Sequence, residues 1–308
     1  MKKSYQRDSF INQIFKIAKK NKNIYFLSAD FGAPSLDIFR KKLPKQFIHT
    51  GISEQNTIDI AIGLSLKKKI VINYAMAPFI LSRAWEQHKI GSLMKLPMIN
   101  LVPGVGYGYA NAGPTHYSNE DLGLANLIVG SNIYTTADSQ TAKFLAKYII
   151  NDKSLAFVRL DREKSVDINY SFKLKDFKNG YRVIFRGKKI CIISHGHLLN
   201  KLWNIIKEEE YFRENITLID LFRCKPISEN LSTILEDHFH TLVFDEQYEN
   251  FNLANLLLNF VNKYNLNNKI VCNALSEKID FGNDGREALL HRSGLSSDKI
   301  KTIIEKYI

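Results

Sequence analysis

The sequence alternates short apolar runs with helix-length segments over most of its 308 residues, and this alternation constrains the fold more than any other feature. In the first half the apolar runs predict five strands: Ile24–Ser28, Ile70–Tyr74, Met98–Pro103, Ile133–Thr135 and Ser154–Leu160. The segments between them predict helices at Asp8–Lys19 (with Asp8 as N-cap), Gly51–Leu66 and Pro78–Met94. Strands that alternate with helices form a mostly parallel sheet with both faces covered. We therefore predict a first α/β domain over residues 1–165.

A second α/β pattern follows a polar segment without a clear period, which we interpret as a linker over residues 166–180. In residues 181–308 the pattern predicts four strands: Lys189–Ser194, Ile216–Leu221, Leu242–Asp245 and Ile270–Leu275. It predicts helices at His197–Glu208, Ile227–Asp237, Phe251–Tyr264, Asp284–His291 and Ser297–Tyr307. The predicted fold class is α/β, with two domains that are each a mostly parallel sheet flanked by helices.

The charge of the chain is strongly basic but dispersed. The 43 Lys and Arg residues exceed the 31 Asp and Glu residues, which gives a net charge of +12. The lysines occur in small groups along the whole chain, and no basic tract is interleaved with the aromatic residues that bind single-stranded nucleic acid. We therefore expect no nucleic-acid partner and a mild attraction for anionic metabolites.

The sequence also bears on compartment and metal binding. It has no apolar stretch of the ~18 residues that a membrane-spanning helix needs, and its first residues lack the apolar core of a signal peptide. The three cysteines, Cys191, Cys224 and Cys272, are too widely spaced for a disulfide framework or a CxxC metal site. Two His-x-His pairs, at residues 195–197 and 238–240, lack a third ligand nearby and are expected at the surface or in loops. We expect a cytoplasmic protein with no membrane contact and no metal site of its own.

Residues 47–56 are the first segment that contains a candidate functional residue. A strand ends there, Gly51 turns the chain, and Ser53 is a candidate helix cap. Glu54 then lies in the first helical turn at the carboxyl edge of a parallel sheet, where open α/β folds bind ligands. The helix dipole also favours a glutamate at this position, so the local pattern leaves both a binding carboxylate and an ordinary helix-start residue open.

Residues 73–87 form the second segment, in which a strand ends in a loop and a helix starts near Pro78. Phe79 or Ile80 would present an apolar face to a flat heterocycle, and core packing is the alternative for either residue. The third segment, residues 103–118, is a long loop rich in Gly and Tyr that matches neither a phosphate-binding P-loop nor a GxGxxG motif. Loops of this length are commonly functional, and its His116 is either an acid–base group or a surface residue.

These three segments, in this order, resemble the transketolase family, and most closely the separate C-terminal subunit of split transketolases. Residues 50–55 resemble the family's VGIAEQ element, residues 79–87 its aromatic turn leading to RAxxQ, and residues 110–116 its GxxGPTH loop. Residues 28–32 resemble SADLG, and further matches lie at 137–139, 158–162, 281–285 and 289–295. The resemblance covers nearly the whole chain. It implies a pyrimidine-binding domain followed by a transketolase C-terminal domain.

The resemblance also implies thiamine diphosphate as cofactor and gives the motif residues roles. Glu54 matches the carboxyl group that faces N1′ of the aminopyrimidine, and it needs a largely apolar pocket because burial favours sharing of a proton. Phe79 would stack on the pyrimidine ring, although a one-residue slip in the match leaves Ile80 as the alternative. His116 matches the loop histidine near the substrate oxygens, as a proton donor or hydrogen-bond partner. The remaining predicted cofactor-binding residues are Ile52, Arg83 and Asp30.

The family binds the diphosphate through Mg²⁺ with a Gly-Asp-Gly motif and a downstream Asn, and nothing in this sequence matches them. The resemblance therefore implies a partner, an N-terminal transketolase subunit that carries the diphosphate domain and supplies the Mg²⁺ ligands. Two copies of each chain would form an α2β2 heterotetramer.

The sequence departs from the family pattern at His49, Val105, Ala112 and residues 245–252, and two of these departures concern the substrate. Ala112 replaces an acidic residue that contacts a sugar hydroxyl, and Val105 stands where the deoxyxylulose-phosphate synthase branch has a phosphate-binding Arg. The predicted function is transfer of a ketol or related carbanion unit between carbonyl compounds, with a small carbonyl or sugar substrate of shifted specificity. Two alternatives stay open: the β subunit of a 2-oxoacid dehydrogenase E1 component, and a non-catalytic structural homologue.

Overall fold

In the computed structural model, which describes residues 3–29 and 33–308, the chain forms two compact units. The first contains the residues up to Val105 and Gly123–Asp167, and the second contains Gly106–Leu122 and Ile168–Ile308. The long loop after residue 105 is thus grouped with the second half of the chain. Within the described ranges, no helix is long and apolar enough to cross a membrane.

The first half of the chain alternates strands and helices as predicted. Its strands are β1 (Lys3–Tyr5), β2 (Ile24–Ser28), β3 (Phe47–His49), β4 (Ile70–Tyr74), β5 (Met98–Pro103), β6 (Asn132–Thr135), β7 (Ala156–Leu160) and β8 (Lys164–Val166). Its helices are α1 (Gln6–Ala18), α2 (Asp37–Lys42), α3 (Glu54–Leu66), α4 (Ala77–Arg83), α5 (Trp85–Leu93), α6 (Asp121–Asn126) and α7 (Ser139–Ile149). Parallel strands lie side by side in the order β6-β7-β5-β4-β2-β3, and β1 pairs antiparallel with β8.

Three details of the predicted helices are wrong. Asp8 is not the N-cap of α1, because the pairing of β1 with β8 holds the chain extended up to Tyr5 and the helix begins at Gln6. The predicted helix at 78–94 is broken at Ala84, which separates α4 from α5. Ser53 precedes α3 as expected, but its hydroxyl donates to the carbonyl of Thr50 at 2.8 Å and does not cap the helix.

The second half has its own sheet. Its strands are β9 (Arg182–Phe185), β10 (Ile190–Ser194), β11 (Ile216–Asp220), β12 (Arg223–Lys225), β13 (His240–Tyr248) and β14 (Lys269–Leu275). Its helices are α8 (Leu174–Asn179), α9 (Gly196–Glu208), α10 (Glu210–Asn215), α11 (Ser232–Glu236), α12 (Leu253–Lys263), α13 (Arg286–Arg292) and α14 (Ser297–Glu305). Strands lie in the order β14-β13-β10-β11-β9, parallel except for β9. Helix α8 lies in the segment that we interpreted as a linker. The predicted class, two α/β domains with mostly parallel sheets, is confirmed.

The first sheet positions the three motif segments. All six residues of β5 are buried, as expected for a central strand covered on both faces. The three segments follow the carboxyl ends of β3, β4 and β5, where β4 neighbours β5 and β2 lies between β4 and β3. Because parallel strands end at one edge of a sheet, this edge is where a ligand site is expected.

Candidate active site

A buried carboxylate begins helix α3. Glu54 is the first residue of the helix and is only 5% exposed. The Nη1 atom of Arg83 lies 3.0 and 3.1 Å from its two carboxylate oxygens. Negative charge on Glu54 is therefore stabilised by this guanidinium and by the amino-terminal end of α3.

Helix α4 carries Arg83, the residue that contacts the Glu54 carboxylate. Pro78 lies in its first turn, where a missing N–H costs nothing, and Arg83 is its last residue. Phe79 and Arg83 are four residues apart, so they share a helix face. The guanidinium carbon of Arg83 lies 4.3 Å from the centroid of the Phe79 ring, within the range of a cation–π contact. Carboxylate, guanidinium and aromatic ring thus form a continuous series of contacts.

An open cleft of about 660 Å³ lies beside the Glu54 carboxylate. Its lining is mainly polar, which differs from the largely apolar pocket expected around Glu54. It comes from the two residues before α3 and from α3, α4 and α5: Ile52, Ser53, Glu54, Gln55, Asn56, Asp59, Arg83 and Gln87. Small-molecule sites commonly have volumes of roughly 300–1,000 Å³. The cleft is therefore large enough for a heterocyclic ring, and it has Glu54 and Arg83 in its wall.

The structure brings four of the predicted residues together. Ile52, which is 80% exposed, Glu54 and Arg83 all line the cleft, and Phe79 joins them through its contact with Arg83. Ile80 is fully buried in the core, whereas Phe79 is half-buried, so of the two only Phe79 offers a ring surface to a ligand. Asp30 lies outside the described residues.

Sequence reasoning missed the polar residues that share this cleft. Gln87 is the last residue of the segment that resembles RAxxQ, so the motif itself carried a signal for it. Asp59 lies on α3 beyond the matched element and had no such signal.

His116 lies on a short 3-10 helix, Pro114–His116, in the second compact unit. It is half-buried, and its Nδ1 atom lies 2.9 Å from the hydroxyl of Thr115, with the donor set by the tautomer. Gly113 precedes this turn with φ +81°, a left-handed conformation that favours glycine. The turn therefore presents the imidazole from a conformation that the Gly-Pro-Thr-His sequence favours.

Two histidines expected at the surface or in loops, His195 and His238, lie in loops as expected and are buried there. His195 lies between β10 and α9, with Nδ1 3.0 Å from the Cys224 Sγ and Nε2 3.0 Å from Asp245 Oδ1. Burial alone would lower its pKa, but the negative charge of Asp245 and the Cys224 contact raise the pKa of His195 to about 10. His238 is held by Thr217 and by the carbonyl of Ile234. Among the described residues, no group of three or more His, Cys, Asp or Glu side chains is arranged to hold a metal ion.

Comparison with known families decides the identity of the chain. Residues 5–166 match the transketolase pyrimidine-binding domain, and residues 181–300 match the transketolase C-terminal domain. The chain belongs to the transketolase family. The resemblance inferred from the sequence is thereby confirmed.

Relatives of this transketolase-family chain include proteins that are separate subunits or sections. It is 28% identical over 194 residues to one subunit of the apulose-4-phosphate transketolase of Phocaeicola vulgatus, covering 62% of each chain. It is 25% identical over 310 residues to a putative transketolase C-terminal section of Methanocaldococcus jannaschii, covering 97% of this chain and 95% of that protein. It covers only 48% of the 1-deoxy-D-xylulose-5-phosphate synthase of Clostridium perfringens, at 24% identity.

The fold also matches a solved structure along its whole length. A split-gene transketolase, described as an inactive β4 tetramer, superposes with a TM-score of 0.84 at 22% identity and covers 98% of this chain and 97% of that one. The likeness shows that this chain shares the fold of that split-gene transketolase chain.

Proposed function

We propose that this chain is the pyrimidine-binding subunit of a two-chain, thiamine-diphosphate-dependent transketolase-type enzyme. The observation that carries the proposal is the buried Glu54 carboxylate, held by Arg83 in an open cleft at the carboxyl edge of the first sheet. Family membership over both halves of the chain supports it. The transketolase and deoxyxylulose-phosphate synthase relatives favour it over a 2-oxoacid dehydrogenase subunit. The partner would be an N-terminal transketolase subunit, in an α2β2 heterotetramer.

The residues present fit the pyrimidine half of the cofactor. One nitrogen of Arg83 serves both Glu54 oxygens, and each carboxylate oxygen has lone pairs for a second donor. Phe79 offers a half-buried ring face, and Ile52 an exposed apolar side chain, near that carboxylate. Because the sequence has no match to the family's Gly-Asp-Gly motif, we assign the Mg²⁺ and diphosphate contacts to the partner.

Each residue then has a defined task. When bound, thiamine diphosphate supplies a nucleophilic carbon that adds to the donor carbonyl. The Glu54 carboxylate accepts a hydrogen bond from N1′ of the aminopyrimidine and so holds the proton there. Arg83 fixes the orientation of that carboxylate through its two contacts, while Phe79 packs on the ring. His116 exchanges a proton with a substrate oxygen.

The substrate is a small carbonyl compound or sugar, and two residues narrow its class. Ala112 lies exposed on the 3-10 helix Ala110–Ala112 and offers no acidic group to a sugar hydroxyl. Val105 is buried and offers no cation to a phosphate. We therefore propose a ketol or related carbanion donor whose specificity differs from that of sugar-phosphate transketolases.

The direct test of Glu54 is Glu54→Gln in the reconstituted two-chain enzyme. The amide keeps the shape but cannot hold the proton at N1′, so we expect turnover to fall by about 100-fold or more. Glu86→Gln is the matched control, because Glu86 also lies in a first helical turn but is exposed. Turnover of Glu54→Gln equal to that of Glu86→Gln would refute the assignment and favour a structural subunit.

A further inference from the structure

The loop that carries His116 is held by the carboxyl end of β13. Strand β13 ends with Glu246, Gln247 and Tyr248, and the first two side chains are buried. The Asn119 amide donates to the Glu246 carbonyl at 2.8 Å, and the Tyr248 N–H donates to the Asn119 carbonyl at 3.1 Å. The end of the loop is therefore attached to the end of the strand by backbone atoms of β13.

Gln247 binds the same stretch with both ends of its amide. Its Nε2 donates to the carbonyl of Ser118 at 2.9 Å, and its Oε1 accepts the N–H of Leu122 at 3.1 Å. The side chain is fully buried, so these two loop backbone groups replace water as its partners.

Glu246 holds the beginning of the loop. Its carboxylate forms a buried two-point ion pair with Arg286 of α13, with Oε1 3.0 Å from Nε and Oε2 2.5 Å from Nη2. The N–H of Tyr107 points at Oε2 at 3.4 Å. A Cβ atom on Gly106 would collide with that oxygen, so the loop backbone approaches the carboxylate as closely as glycine allows.

The two ends of the loop also meet each other. Gly106 and Ser118 exchange two backbone hydrogen bonds of 2.9 Å, and His116 precedes Ser118 by two residues. The rings of Tyr107 and Tyr117 pack edge to face, with centroids 5.1 Å apart. A displacement of either end would therefore move the turn that carries His116.

We propose that Glu246, Gln247 and Arg286, called the clamp, are positioning residues that determine where His116 is presented to the substrate. The proposal rests on the proposed function, because it assigns the second half of the chain a part in the reaction. A buried ion pair contributes little to net stability compared with apolar packing. In this pair, two separate contacts with Arg286 orient the Glu246 carboxylate beside the loop. Fixed geometry is what a catalytic loop needs, since small misplacements of a reacting group cost large factors in rate.

The test compares Glu246→Gln and Gln247→Met with Glu249→Gln, a control at an exposed carboxylate just beyond the same strand. Hydrogen–deuterium exchange of the full chain should become about tenfold or more faster in residues 106–122 of the two clamp variants and stay unchanged in the control. In the two-chain enzyme, kcat should fall by about tenfold or more with the dissociation constant for thiamine diphosphate unchanged. Arg286→Lys should retain more of both properties than Arg286→Met.

The outcomes separate the clamp from the proposed function. Unchanged loop exchange in folded Glu246→Gln and Gln247→Met would overturn the clamp. Faster loop exchange with unchanged kcat would also overturn it, because the residues would then be structural only. Failure of the wild-type complex to bind thiamine diphosphate would refute the proposed function and, with it, the clamp's part in the reaction.

Discussion

At the scale of single residues, the site depends on polar atoms that are buried and paired. Glu54 is nearly inaccessible, whereas the side chain of Arg83 is 49% exposed. Their pair therefore adds at most about 1 kcal/mol to stability, in the range of exposed ion pairs. The main consequence of the pair is that it holds the Glu54 carboxyl group in one orientation beside the cleft.

Gly106 gives a prediction at this scale. Gly106→Ala places a Cβ against Glu246 and also requires an alanine at φ +58°. Gly113→Ala in the same loop requires φ +81° but meets no atom within 4 Å. We expect Gly113→Ala to lower the free energy of unfolding by about 1–3 kcal/mol through backbone strain alone, because φ +81° with ψ 178° is a conformation that almost only glycine adopts. We expect Gly106→Ala to lower it by about 1–3 kcal/mol more, because the clash is added.

Urea denaturation of the two glycine variants measures this difference. Equal losses of stability in Gly106→Ala and Gly113→Ala would contradict the close approach of the loop to Glu246.

At the scale of elements, helix α5 packs through a histidine. His88 is fully buried, its ring meets Phe157 of β7 edge to face at 5.0 Å, and burial lowers the pKa of His88 to about 3. The unfolded chain binds a proton near pH 6.5 that folded His88 does not bind. Its contribution to stability is therefore complete above pH 6.5 and is lost as the pH falls from 6.5 toward 3.

His195 has the opposite effect on the pH dependence of stability, because its pKa is raised to about 10. Its contribution is complete below pH 6.5 and is lost as the pH rises from 6.5 toward 10. We expect His88→Leu to reduce the slope of the free energy of unfolding against pH on the acid side, and His195→Gln to reduce it on the alkaline side. Each slope should change by up to about 1.4 kcal/mol per pH unit, the value for one proton. Denaturation midpoints at pH 5, 7 and 9 measure both slopes; a wild-type slope at pH 5 in His88→Leu would contradict the assignment.

The central strands were predictable because each is a continuous apolar run in the sequence and is buried in the structure. Strands β4 and β5 are apolar runs in a covered parallel sheet, so period and composition agree. Strands β1 and β8 were missed because they are three-residue strands whose residues are mostly accessible. The break at Ala84 was missed because alanine favours helix. The next residue, Trp85, donates its indole N–H to the carbonyl of Leu124, a tertiary contact that the local sequence pattern does not show.

The candidate site likewise contains residues that could be predicted from the sequence and residues that could not. Glu54 and Phe79 were predictable because they lie in short local motifs that the family shares. Their contact through Arg83 follows from the ends of two helices and is a tertiary feature. Gln247 and Arg286 had no local signal, because they meet loop residues or Glu246 across 40 or more positions of the chain.

At the scale of the whole molecule, this chain corresponds to the full length of some relatives and to only part of others. It covers 97% of one separate C-terminal section but only 48% of a deoxyxylulose-phosphate synthase. The solved split-gene relative is described as inactive in its β4 form. The proposed function implies that this chain needs a second chain for activity, because its sequence has no match to the family's Gly-Asp-Gly motif.

The most direct measurement of that claim is titration calorimetry of thiamine diphosphate with Mg²⁺. The cofactor is titrated into this chain alone and into its complex with a co-purified N-terminal transketolase subunit. We expect tight binding by the complex and none by the chain alone. Binding by the complex should be weakened in Glu54→Gln and retained in Glu86→Gln. Tight binding by the chain alone would contradict the divided site, and no binding by the complex would contradict the cofactor assignment itself.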